Sequence, residues 1–145
     1  MAKDSDDNVK AYALTVHQPW AWAITMGHKT IENRTWHTSY RGPLFIHAGG
    51  RKGAKEWLAD WDTLVEEFAE RGVKLPPIGT LTFGAIVAVA ELTDVVPLRK
   101  APRDDPFASG PWCWLLDKVR ELNKPVPMPG QPSLWVPPPR VLALL

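Results

Sequence analysis

Gly27-His28-Lys29-Thr30-Ile31-Glu32-Asn33-Arg34 and, a few residues on, Tyr40-Arg41-Gly42-Pro43-Leu44-Phe45-Ile46-His47 are the stretches from which the rest of the chain is read. Gly27 closes a short helix that begins at Gln18-Pro19, where proline suits the first helical position. A strand is predicted from about Thr30 to Trp36. Alternation puts Thr30, Glu32 and Arg34 on one face, and Ile31, Asn33 and Thr35 on the other. Tyr40-Arg41-Gly42 then turns the chain into a second strand, Leu44–Ala48, ended by Gly49-Gly50. From Lys10 to Lys52 there are six Lys or Arg against one acid, Glu32, and all four histidines lie there too. The whole chain carries a formal charge of only +1, so this excess is local. Positive charge beside Trp and Tyr suits an anion or a nucleic acid.

Upstream, Tyr12–Val16 alternates as a strand. Downstream, residues 52–71 read as one long helix, with Trp57, Trp61, Leu64, Val65 and Phe68 as its apolar stripe. Thr82 to Val96 is the most apolar run and predicts a strand buried on both faces, with Gly84 marking a bulge. Residues 97–110 form a polar loop, and Pro111 to Leu122 is a further strand. A proline-spaced segment then leads to a short last strand, Leu134-Trp135-Val136. Pro137-Pro138-Pro139 argues against regular structure beyond it.

Residues 1–10 are expected to be a disordered lead, 11–136 a single domain, and 137–145 a proline-rich apolar tail. That tail either packs back on the domain or covers a second copy, giving a dimer. Five to six short strands, one short helix and one long helix predict a mixed α/β small β-barrel around a cleft, because closure removes exposed strand edges.

A chain of 145 residues supports one real core. Its single cysteine, Cys113, excludes an intrachain disulfide or a thiolate metal cluster. No run reaches the roughly 18 apolar residues of a membrane span. Met1 to Lys10 lacks a signal-peptide core, so the cytoplasm is the expected compartment. His17, His28, His37 and His47 do not have finger or metallohydrolase spacing, and neither a metal nor a cofactor is expected. A glycine-rich phosphate loop, a nucleophile elbow and a dinucleotide fingerprint are all missing, which removes the common nucleotide-driven enzymes.

Lys29, Glu32 and Arg34 form the strongest constellation. An acid between two bases orients both, and the arginine fork grips a phosphate or a base edge. The plainer reading is a salt bridge between Glu32 and Arg34 along one strand face. Arg41 beside Tyr40 either presents a guanidinium and a ring to a ligand or sits on a solvated turn. Trp20, Trp22, Trp36 and Trp112 are stacking surfaces or core. His17 and His47 contact a ligand or serve as a general base.

Leu14-Thr15-Val16-His17-Gln18-Pro19-Trp20-Ala21, the Gly-x-Lys-x-x-Glu-x-Arg element at 27–34 and the Tyr-Arg-Gly-Pro at 40–43 together resemble the activating signal cointegrator homology (ASCH) family of the PUA-like superfamily. Pro111-Trp112-Cys113-Trp114, Pro125-Val126-Pro127, Gly130 and Leu134-Trp135 fit the same pattern, so the resemblance spans about residues 12–136. It implies a PUA-like barrel with helices around a cleft, and binding of RNA, single-stranded DNA or a modified nucleoside. Lys29, Glu32 and Arg34 carry over to that cleft, with Arg41 near them. Some small relatives are amidohydrolases that deacetylate N4-acetylcytidine with a lysine, a threonine and a glutamate. Lys29 matches that lysine, but the threonine position falls on Glu32. Thr30 shares Glu32's predicted face, and Glu91 and Asp105 are loose candidates for the second carboxylate. Ribonuclease activity is also associated with the family, for which Lys29, Glu32 and His47 are the acid–base candidates.

Overall fold

The structure, a computed structural model, describes residues 11–145. The expected disordered lead, 1–10, lies outside the described residues. Strand β1 is Tyr12–Val16, helix α1 is Trp20–Thr25, β2 is Ile31–Arg34 and β3 is Gly42–Ala48. A 3-10 turn, Arg51–Ala54, leads into α2 (Lys55–Leu58) and α3 (Trp61–Glu70). β4 (Ala85–Pro97) and β5 (Trp112–Pro127) form a long antiparallel pair, and α4 (Pro139–Leu142) ends the fold.

The strands make one sheet in the order β1-β3-β4-β5-β2, parallel between β1 and β3 and antiparallel elsewhere. The chain leaves one edge at β1, passes through α1 to the opposite edge at β2, and returns to β3. The sheet does not close, which corrects the expected barrel. β1 pairs with β3 and β2 with β5, and no ladder joins β1 to β2. A closing ladder needs backbones about 4.8 Å apart. Here a side chain spans the gap instead: Arg34 of β2 donates from Nη2 to the Thr15 carbonyl of β1 at 2.8 Å. Two residues earlier, Ala13 exchanges backbone hydrogen bonds of 2.7 and 3.1 Å with Trp135. A strap and an arginine together cover the free side of β1, as an edge strand requires.

Both faces of the sheet are buried, which explains the nearly unbroken apolar run of β4. Leu14, Val16, Leu44, Ile46, Ala88 and Leu92 pack with Ile24 of α1 and with Trp114 on one side. Ala13, Phe45, Ile86, Val89 and Leu122 pack with Trp135 and Val141 on the other. Register shifts between Ile86 and Ala88 and again between Val89 and Glu91 let β4 serve both.

Four local expectations are corrected. Pro19 caps α1 rather than opening it. The single helix over 52–71 is interrupted at Asp60, whose φ of −113° and ψ of 48° lie outside the helical region. Aspartate favours such boundary positions over helix interiors. Val65, placed on the apolar stripe, is exposed, whereas Leu64 and Phe68 are buried. From the third of the three prolines, α4 forms with Pro139 in its first turn and buries Val141 in the second core, so the tail packs back on its own domain.

His47 fastens the strap to the sheet. Its Nε2 donates to the Met128 carbonyl at 2.7 Å, and its Nδ1 lies 3.2 Å from the Thr15 hydroxyl, from which the neutral ring accepts. Burial lowers the His47 pKa below 6.5, with the Met128 hydrogen bond opposing. A basic group with a lowered folded value binds fewer protons folded than unfolded. Stability is therefore full above 6.5 and falls as the pH drops below it. The urea midpoint is expected to decrease from about pH 7.5 to about pH 5, and His47→Gln to flatten that decrease. An equal pH slope in both proteins would assign the effect to other groups.

Candidate functional site

The seam between the two sheet edges opens into a cleft of about 600 Å³. Thr15, Val16 and His17 at the end of β1 form one side, and Glu32 through Trp36 form the other. Trp20 of α1, Trp57 of α2, Phe68 and Arg71 of and after α3, and the loop 106–109 complete it.

An ion triad makes the floor. Lys29 is 2% exposed and donates to the Ile31 carbonyl and, at 2.7 Å, to Glu32 Oε1. Glu32 Oε2 accepts from Arg34 Nε at 3.0 Å and pairs with the guanidinium Nη2, 2.9 Å away. Glu32 sits opposite Trp114 in the β2–β5 ladder, so the core holds its backbone in place. Burial alone would raise the Glu32 carboxyl, but Lys29 and Arg34 outweigh it and hold the pKa below 4.5. The carboxylate is thus an ionised acceptor with two cations in fixed places. Arg34 Nη1 has no hydrogen-bond partner among the described residues. It remains available to a ligand.

His17 closes one end. Its Nδ1 is buried without a partner among the described residues, and its ring stands edge-on to Trp57 at 5.2 Å. A Cβ at Gly49 would come within 2.9 Å of Nδ1, and one at Gly53 within 3.1 Å of Cε1. Only glycine admits this approach. Burial and Arg34 lower the His17 pKa, partly offset by Glu32, so the ring is neutral at pH 7. With His17 neutral, the charged lining is Lys29, Arg34 and Arg71 against Glu32 and Glu67, a surplus of one positive charge. The local basic excess seen in the sequence is largely spent outside the cleft.

Residues that sequence reasoning passes over build the far wall. Asn33 alternates away from Glu32's face, which hides it from a search along that face. Its side chain donates to the Phe107 carbonyl at 2.7 Å and accepts from the Ser109 and Gly110 amides at 2.9 and 2.8 Å. It thereby fixes the loop that carries Phe107 and Ser109 into the cleft. Arg71, read from the sequence only as a helix end, donates to the Pro106 carbonyl at 3.0 Å and to the Glu67 carbonyl at 2.9 Å. Trp57 belongs to the expected packing stripe, yet its half-buried ring stands in the cleft wall.

Other candidates lie elsewhere. Tyr40 donates to the Pro43 carbonyl at 2.6 Å and stands edge-on to Tyr12. Burial, Glu91 and Tyr12 push its hydroxyl up to about 12, so it stays a donor. Arg41 donates to Thr38 and Tyr40 carbonyls and pairs with Asp94 at 3.2 Å. Trp112 stands against His37. Thr30 is exposed and lines a separate recess of about 150 Å³ beside Leu116 to Val119. His47 lies under the strap. Asp105 caps the Phe107 amide. Among the described residues, no group of three or more His, Cys, Asp or Glu is placed to hold a metal ion. No described helix is long and apolar enough to cross a membrane.

The family profile described as the ASCH domain matches residues 14–125, which include the triad and most of the sheet. The chain belongs to the ASCH domain family. Over 128 residues this ASCH domain is 25% identical to human Activating signal cointegrator 1 and 23% identical to the mouse protein. Those stretches cover 86% of the chain but 22% of each relative's length. The chain therefore spans about a fifth of the curated relatives it matches. Its fold is similar to that of the ASCH protein of Zymomonas mobilis, with a TM-score of 0.51 at 13% identity over 94% of this chain and 93% of that one. A serine-to-alanine mutant of the Zymomonas protein gives 0.53 at 14% identity, covering 94% and 97%. This likeness concerns the fold.

Proposed function

We propose that the cleft binds a base of single-stranded RNA or DNA, or a modified nucleoside, over the Lys29–Glu32–Arg34 floor. The carrying observation is the buried triad, which leaves Arg34 Nη1 free at the bottom of an aromatic-walled cleft. Small-ligand sites of this kind enclose about 300–1,000 Å³ and combine apolar walls with a few fixed polar groups. Trp20, Trp57 and Phe107 offer ring surfaces or edges to a base, and stacking on such rings tolerates different bases. Glu32, ionised and only partly saturated, accepts from an amino or imino group of the base. His17, neutral, contributes a hydrogen-bonding edge without adding charge.

The alternative is hydrolysis of an N4-acylated cytidine or of RNA by Lys29 and Glu32. Their 2.7 Å contact within the cleft favours it. Against it, Thr30 and His47 do not reach the cleft, so the nucleophile or second acid would have to be a water or another hydroxyl.

Nucleosides, N4-acetylcytidine among them, and a single-stranded oligonucleotide would be titrated while following tryptophan fluorescence, and the same mixtures analysed by mass spectrometry. Saturable binding without product is expected. Arg34→Lys keeps the charge but loses the fork, and should weaken binding about 10- to 100-fold, the worth of a charged hydrogen bond. Product formation abolished by Lys29→Ala would establish the hydrolase instead. Binding unchanged in Arg34→Lys would remove the triad from recognition.

A further inference from the structure

The turn Arg51–Ala54 and α2 carry three cations, Arg51, Lys52 and Lys55, in five positions, all exposed. None forms a salt bridge with a described residue. With Leu58, Ala59 and Ile78 they line an open depression of about 490 Å³. Arg51 is not free to wander, because its guanidinium lies over the Phe83 ring at 4.4 Å from the centroid. This basic surface adjoins the cleft directly. Trp57 of α2 lines the cleft while Lys55 and Leu58 of the same helix line the depression, so α2 is the partition between them. His17 locks that partition in place through Gly53 on one side and the Trp57 ring on the other.

We infer that Arg51, Lys52 and Lys55 form a phosphate track that carries a single-stranded nucleic acid out of the cleft, over α2. This rests on the reading of the cleft as a base site. The cleft itself, with a surplus of one positive charge, holds the base. The neighbouring phosphodiesters take the three cations beyond the partition. Flexible lysines and a ring-seated arginine suit backbone contacts, which position a strand without reading its sequence. The occupant is accordingly a polymer, with the free nucleoside a weaker ligand of the same cleft.

The test compares a nucleoside with a single-stranded oligonucleotide on the full chain, each titrated across a series of salt concentrations. In the unsubstituted protein the oligonucleotide should bind more tightly and with the steeper salt dependence. Each cation–phosphate contact on a single strand adds about 0.7 to the slope of log K against log salt. Arg51→Ala/Lys52→Ala/Lys55→Ala should therefore reduce the oligonucleotide slope by about 2 and its affinity in 0.1 M salt about a hundredfold, relative to a 1 M reference. Nucleoside binding should not change. Lys52→Ala/Lys55→Ala, which keeps Arg51 on Phe83, should reduce the slope by about 1.4 and guards against a folding defect in the triple variant. A nucleoside that binds while the oligonucleotide slope stays the same in both variants overturns the track and leaves the base site standing. Failure of both ligands to bind the unsubstituted protein overturns both readings.

Discussion

Glu32→Gln is expected to lower the unfolding free energy by about 3–5 kcal/mol, the cost of removing one partner from a buried ion pair. The Lys29 side chain is 2% exposed and that of Glu32 10%, so water screens little of the charge left behind. Glutamine still accepts from one neighbour but no longer balances Lys29 or Arg34. Lys29→Met combined with Glu32→Gln should recover much of the loss, because a buried pair replaced by uncharged groups of similar size is often neutral. The two proteins would be compared by urea unfolding near neutral pH. A single-variant loss under about 1 kcal/mol would mean that solvent reaches the triad. The acid limb provides an independent check. A carboxyl held below 4.5 in the fold contributes stability above that value and loses it as the pH falls through the folded pKa. Glu32→Gln should flatten this limb, while leaving the His47-dependent decrease below 6.5 in place.

Trp114→Ala is expected to cost about 3–5 kcal/mol, as for other large aromatic core truncations. Trp114 is fully buried, pairs with Glu32 on β2 and Val95 on β4, and donates from Nε1 to the Trp36 carbonyl at 3.3 Å. Its loss undermines the strand that carries the triad as well as the core. The denaturant midpoint and ligand affinity should therefore fall together. A loss below about 1 kcal/mol would show that the neighbouring Trp36 ring, 4.8 Å away, collapses into the space.

The triad was legible because its three members lie within six residues, with Glu32 and Arg34 alternating on one strand and Lys29 just before it. β1, β3 and the doubly buried β4 were legible from period and composition alone. Sheet closure was not. Whether β1 and β2 pair is decided between strands at opposite ends of the sheet order, and nothing local to either encodes it. For the same reason Tyr40 and Arg41 stand near the triad in sequence yet make their hydrogen bonds elsewhere, whereas Trp112, distant in sequence, is Arg34's ladder partner with its ring against His37. Asn33 and Arg71 hold the loop 106–110, which carries Phe107 into the cleft, through hydrogen bonds across 35 to 77 positions. Neither a helical nor a strand period signals such a loop.

Arg34 has two duties that meet at one guanidinium. It bridges β2 to the Thr15 carbonyl of β1, and it lines the cleft with its remaining nitrogen unpartnered among the described residues. Recognition and the breathing of the sheet are then a single equilibrium. A ligand that immobilises this side chain stabilises the closed seam by RT ln(1 + [L]/Kd) and penalises every excursion in which the first strand lifts away. Occupancy of the cleft would be visible as slowed amide exchange in Tyr12–Leu14, the part of the strand that does not line it.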